Sequence, residues 1–138
     1  MHPIARNILA ITAGVVLGSL VNMGLIMLSS SVIPLPEGVD QTSMESLKAS
    51  MHLFEPKHFI FPFLAHALGT LAGAYLAARI AAVQKMRFAL GVGVFFLIGG
   101  IFNVFALPAP MWFVVLDLVV AYIPMAWIGG NLATKSNK

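Results

Sequence analysis

Four stretches of this chain run for about 20 residues with almost no charge: Ile8 to about Leu28, about Phe59 to Val83, Phe88 to about Leu107, and Trp112 to Leu132. At a rise of about 1.5 Å per residue, each is long enough to cross a hydrocarbon layer of roughly 30 Å. Lipid offers no hydrogen-bond partners, so each run must satisfy its own backbone and is predicted to be an α-helix. Stretches such as Val92–Phe96 do not alternate polar with apolar residues, which argues against a membrane barrel.

Composition points the same way. Only 9% of the 138 residues are charged and 59% are hydrophobic, whereas soluble domains carry about 25% charged residues. The fold class expected is therefore all-α: a polytopic membrane protein, with one domain over residues 1–138 built as a four-helix transmembrane bundle in the lipid bilayer. The absence of cysteine excludes disulfides, thiolate metal sites and thiol chemistry. The net charge of +3 is spread over helix ends rather than gathered in a patch, so no nucleic acid partner is expected.

The first run has Arg6 before it and Ser29, Ser30 and Ser31 behind, as a signal peptide does. Its apolar stretch exceeds the roughly 7–15 residues of a signal core, so a retained helix is expected. Lysine and arginine then set the orientation. One side carries Arg6, Arg79, Lys85, Arg87, Lys135 and Lys138 without any acid; the other carries Lys48 and Lys57 with Glu37, Asp40, Glu45 and Glu55. Six against two predicts both termini in the cytoplasm.

Two connections are short, at Gln84–Arg87 and Pro108–Met111. The third, Ser29–His58, is the only sizeable polar segment. Thr42-Ser-Met-Glu45 reads as a capping box, and Met44, Leu47, Met51 and Phe54 follow at helical spacing. A short amphipathic helix over about 42–54, lying on the outer face and ended by Pro56, is predicted. Phe54, Phe59, Phe61, Phe63 and Trp112 form an aromatic belt on that side.

Small residues mark the packing faces. Gly14 and Gly18 in the first run, Gly69 and Gly73 in the second, and Gly99 and Gly100 in the third let helix backbones approach closely, within a protomer or between copies. A homo-oligomer is expected on that ground. A faint repeat relates Gly18–Asn22 to Gly99–Asn103.

Four polar side chains interrupt the runs at similar depth: Asn22, His66, Asn103 and Asp117. A carboxylate inside a span costs about 3 kcal/mol on insertion scales, so it faces the bundle interior and finds partners. Thr70 shares the His66 face. Two readings stand side by side. In one, His66 and Asp117 form a proton-exchanging or ion-pairing couple, and Asn22 and Asn103 add neutral hydrogen bonds around a ligand. In the other, the four groups only satisfy one another and fix helix register. His52, Glu55 and His58 form a second cluster at three-residue steps, able to ligate zinc or copper if they converge. Pro56 and Lys57 oppose that arrangement, and a Glu55–Lys57 surface pair is the plainer alternative. Nucleophile elbows, phosphate loops and metalloprotease motifs are absent; the residues lean away from an enzyme, a membrane-embedded one using His66 and Asp117 as acid and base standing third, and no cofactor can be named from them.

The block MHLFEPKHFIFPFLAHALGTLAGA, from Met51 to Ala74, together with Ala121-Tyr-Ile-Pro-Met-Ala-Trp-Ile-Gly-Gly130, resembles a group of small bacterial four-helix membrane proteins without an assigned activity. The resemblance implies fold and location only. Two functions are therefore expected: a channel, transporter-like or small-ligand-binding protein using the outer polar cluster, or a noncatalytic accessory subunit of a larger membrane complex.

Overall fold

The computed structural model describes residues 1–136 and is helical with no strand among them; Lys138, counted above with the basic side, lies outside the described residues. Helix α1 spans Pro3–Val32, α2 Met44–Ser50, α3 Ile60–Ile80, α4 Lys85–Ala106, α5 Met111–Val120 and α6 Ile123–Lys135. Short 3-10 turns at Met51–Leu53 and Pro56–Phe59 join α2 to α3. Four stretches are long and apolar enough to cross a membrane: Pro3–Val32, Pro56–Ile80, Lys85–Ala106 and Met111–Lys135. This is a membrane-embedded helical bundle. Its basic end holds residues 1–2, 81–84 and 136; its connection end holds residues 33–59 and 107–110.

Several boundaries differ from expectation, four of them for reasons visible locally. Helix α1 begins before Ile8 because Pro3 occupies its first turn, where no N–H is needed, and His2 Nδ1 accepts from the Ile4 N–H at 3.3 Å. It continues through the serines because Ser29 donates its hydroxyl to the Ile26 carbonyl at 2.6 Å. The last span is two helices rather than one. Pro124 cannot donate to the Val120 carbonyl and would collide with it, so the chain breaks at Ala121–Tyr122 and restarts with Pro124 in the first turn of α6. The N-cap of α2 is Ser43 rather than Thr42: Ser43 Oγ accepts from the Ser46 N–H at 3.2 Å. Thr42 is taken by Asp40, whose Oδ1 accepts its hydroxyl at 2.6 Å and its N–H at 2.9 Å. Those two bonds, the hydroxyl first, hold the Asp40 carboxyl below the usual carboxylate range.

Helix α3 is the hub. On one flank α1 approaches it backbone to backbone. A Cβ on Gly14 would sit 2.6 Å from the Gly73 carbonyl oxygen, and one on Gly18 would sit 2.7 Å from that of Gly69. On the other flank Gly129 of α6 leaves room for the Leu71 carbonyl, 2.6 Å from where a Cβ would be. Toward the basic end α3, α4 and α6 close on fully buried alanines: Ala74, Ala78, Ala89, Ala126 and Ala133. Toward the connection end the core is aromatic. Phe59 packs on Phe113 with ring centres 4.8 Å apart and edge-on to Trp112 at 5.6 Å. The connecting segment folds over this end by burying Met51 and half-burying Phe54, rather than lying apart from the bundle. Gly99 does not pack within the chain: a Cβ there would meet nothing within 4 Å.

Candidate functional site

His66 comes from the middle of α3 and Asp117 from the last turn of α5. His66 Nδ1 lies 2.8 Å from Asp117 Oδ1. The second carboxylate oxygen is also engaged, because Tyr122 donates its hydroxyl to Oδ2 at 2.9 Å. The Tyr122 ring stacks on the imidazole with centres 5.8 Å apart and planes at 27°. Asp117 is 5% exposed and Tyr122 2%. With Asp117 as a carboxylate, Nδ1 donates; Nε2 then carries a lone pair in the neutral imidazole or a second N–H in the imidazolium, and it has no hydrogen-bond partner among the described residues in either form.

Tyr122 is the member that sequence reasoning missed. It sits in the break between α5 and α6, and the turn forced by Pro124 carries its ring inward instead of along a helix face. Gly100 makes the room: a Cβ there would stand 2.5 Å from the Tyr122 hydroxyl. A signal was present, since a tyrosine inside an apolar span needs a partner for its hydroxyl and an acid lay five residues earlier.

Asn22 and Asn103 do not hydrogen-bond to the couple. They line two adjoining cavities instead. The first, about 270 Å³, lies under the connecting segment, walled by Met51, Phe54, Phe59 and Phe113, with Asn22, His66, Asn103 and Asp117 as polar lining. The second, about 290 Å³, lies between α1, α3 and α4 and shares Asn22, His66, Gly100 and Asn103, adding Thr70 and Tyr122. Asn22 Oδ1 and Thr70 Oγ are buried without a hydrogen-bond partner, and Thr70 is fully buried. Neither cavity is lined by the alanine-packed residues toward the basic end.

The histidines of the connecting segment are used otherwise than expected for a metal site. His58 Nδ1 accepts from the Glu55 N–H at 2.8 Å, and its Nε2 donates to the Pro34 carbonyl at 3.2 Å, so it has no free electron pair. Glu55 and His58 cap each other across Pro56, while the Glu55 carboxylate meets Lys57 Nζ at 3.3 Å. Among the described residues no group of three histidine or carboxylate side chains is placed to hold a metal ion. His52, Glu55 and His58 are not brought together.

No family model, no curated protein and no solved structure matches this chain. The function is read from the site.

Proposed function

We propose that this is a carrier-like binding protein of a bacterial inner membrane, both termini cytoplasmic, which takes a small solute into the pocket at His66 and Asp117. The observation that carries the reading is the pair of adjoining cavities that share His66, the first of them ending on the buried, hydrogen-bonded Asp117 carboxylate, with the Asn22 and Thr70 oxygens left unpaired in their walls. A couple that served packing alone would not need such space, since apolar residues of similar volume often fill a core equally well. An orphaned buried acceptor costs about 1–3 kcal/mol, and a bound polar group would relieve it. The alanine packing below the site favours a pocket filled from one side over an open pore through one protomer. The orientation rests on the charge asymmetry of the helix ends.

The test follows the His66 imidazole nitrogen signals of the protein in lipid nanodiscs as cyclohexanol or 2-phenylethanol is added. Saturable shifts are expected, and Val104→Trp, which fills the first cavity, should abolish them. Responses that never saturate, and are equal in the variant, overturn the reading.

A second reading, that of an accessory subunit or homo-oligomer, is favoured by Asn103, an exposed amide inside a span with no side-chain partner among the described residues. Gly99 stands one turn away with open space before it. In this reading the face docks a second copy or a subunit of a larger complex. Cysteine placed by Gly99→Cys should then cross-link in intact membranes to a species of at least twice the chain mass. A product of single-chain mass overturns it.

A further inference from the structure

The pocket's two buried unpaired oxygens can both accept a hydrogen bond. Asn22 Oδ1 can only accept, and His66 Nε2 accepts as well when the imidazole is neutral with its proton on Nδ1. The Thr70 hydroxyl, fully buried and unpartnered, adds two more lone pairs. Behind them lies a carboxylate; no lysine or arginine lines either cavity, so with a neutral His66 its charge is unbalanced. The gap is therefore shaped for a hydrogen-bond donor. Its electrostatic field favours a cation, because a charge is poorly screened where the surroundings are apolar. A primary ammonium offers three N–H donors at one atom. The first cavity supplies aromatic faces at Phe54, Phe59 and Phe113, suited to an apolar body next to a positive head.

The mouth of the pocket is also marked. Of the residues lining the two cavities, only Gly99 and Asn103 are exposed, and both belong to α4. They lie where α1 and α4 come together only sparsely, and a Cβ on Gly99 would meet nothing within 4 Å. In a membrane that flank faces lipid. A solute reaching the pocket by this route dissolves in the bilayer first.

Resting on the pocket reading above, we infer that the solute is a lipophilic primary amine, bound as its ammonium, which enters sideways from the lipid past Gly99. Three probes of similar shape separate the possibilities: 2-phenylethylamine, 2-phenylethanol and phenylacetate, titrated against the protein in nanodiscs of uncharged phosphatidylcholine. The amine should bind about tenfold more tightly than the alcohol, the difference between a charge-assisted and a neutral hydrogen bond, and the acid should not bind. Thr70→Val keeps the shape of the side chain and should lower the amine's advantage without unfolding the bundle. Gly99→Trp places an indole at the open mouth, starting from a position where an added Cβ meets nothing within 4 Å. It should slow amine association while leaving the helical circular dichroism unchanged.

Alcohol binding as tight as amine binding sinks the amine assignment and leaves the pocket reading standing. Saturable binding by none of the three sinks both. An unaltered association rate in Gly99→Trp overturns the sideways entry.

Discussion

Asp117→Ala is expected to destabilise the bundle by about 3 kcal/mol or more. The truncation removes both acceptors at once. The Tyr122 hydroxyl, now 2.9 Å from Oδ2, and His66 Nδ1, now 2.8 Å from Oδ1, would each keep a buried donor with nowhere to send it. If these were average interhelical hydrogen bonds, at about 0.6 kcal/mol each, the loss would be near 1 kcal/mol. The orphaned donors, at about 1–3 kcal/mol apiece, make the larger figure the expected one. The expense of placing a carboxylate in lipid does not offset this, because the helices are inserted in both the packed and the dissociated state. Asp117→Asn, which keeps the volume and one carbonyl oxygen, should lose less than half as much. Unfolding by sodium dodecyl sulfate in mixed micelles reads the difference. A loss under about 1 kcal/mol for the alanine variant would show that the three side chains do not act as a unit.

Gly73→Val should be the most damaging single change in the first two spans. Its Cβ would press on the Gly14 carbonyl oxygen, and the complementary contact, from Gly14 to the Gly73 oxygen, has only 2.6 Å to offer. Neither obstacle is a side chain that can rotate away, so α1 as a whole must move off α3. Overpacking typically costs about 1–3 kcal/mol, and the upper end is expected here because backbone cannot relax. Gly24 is the control. Nothing lies within 4 Å of its would-be Cβ, so Gly24→Ala should stabilise the helix by about 0.5–1 kcal/mol. Detachment of α1 is measured as increased labelling of a cysteine placed by Ala10→Cys, a residue fully buried in the intact bundle. Equal labelling in the Gly73→Val and Gly24→Ala backgrounds would mean that the glycine contact does not hold α1 in place.

The spans could be read from the chain because lipid imposes length and polarity together, and a run such as Phe88–Leu107 satisfies both. The Gly14/Gly18 and Gly69/Gly73 faces were legible for a related reason: small residues one turn apart have little use inside a lipid-facing helix. His66 and Asp117 stood out as residues, since ionisable groups are rare in such surroundings. Their contact did not, because nothing in the spacing of one helix tells how it is turned toward another. Tyr122 was missed through treating Trp112–Leu132 as a continuous helix. Pro124 frees the Val120 carbonyl, but its larger effect is to redirect the residues before it. Thr42 lost the cap to Ser43 because the Asp40 carboxylate, a stronger acceptor than any hydroxyl, lay two residues upstream. The His52, Glu55 and His58 spacing misled for the opposite reason, as backbone groups claimed the His58 nitrogens first.

Helix α1 leans on α3 through glycine backbones and has little to hold it elsewhere, and that has a bearing on biogenesis. The surface that receives α1 belongs to the very next long helix off the ribosome, so this hairpin can dock once residue 80 has been translated. Spans translated later then settle against the opposite flank of an existing pair, and assembly keeps pace with elongation.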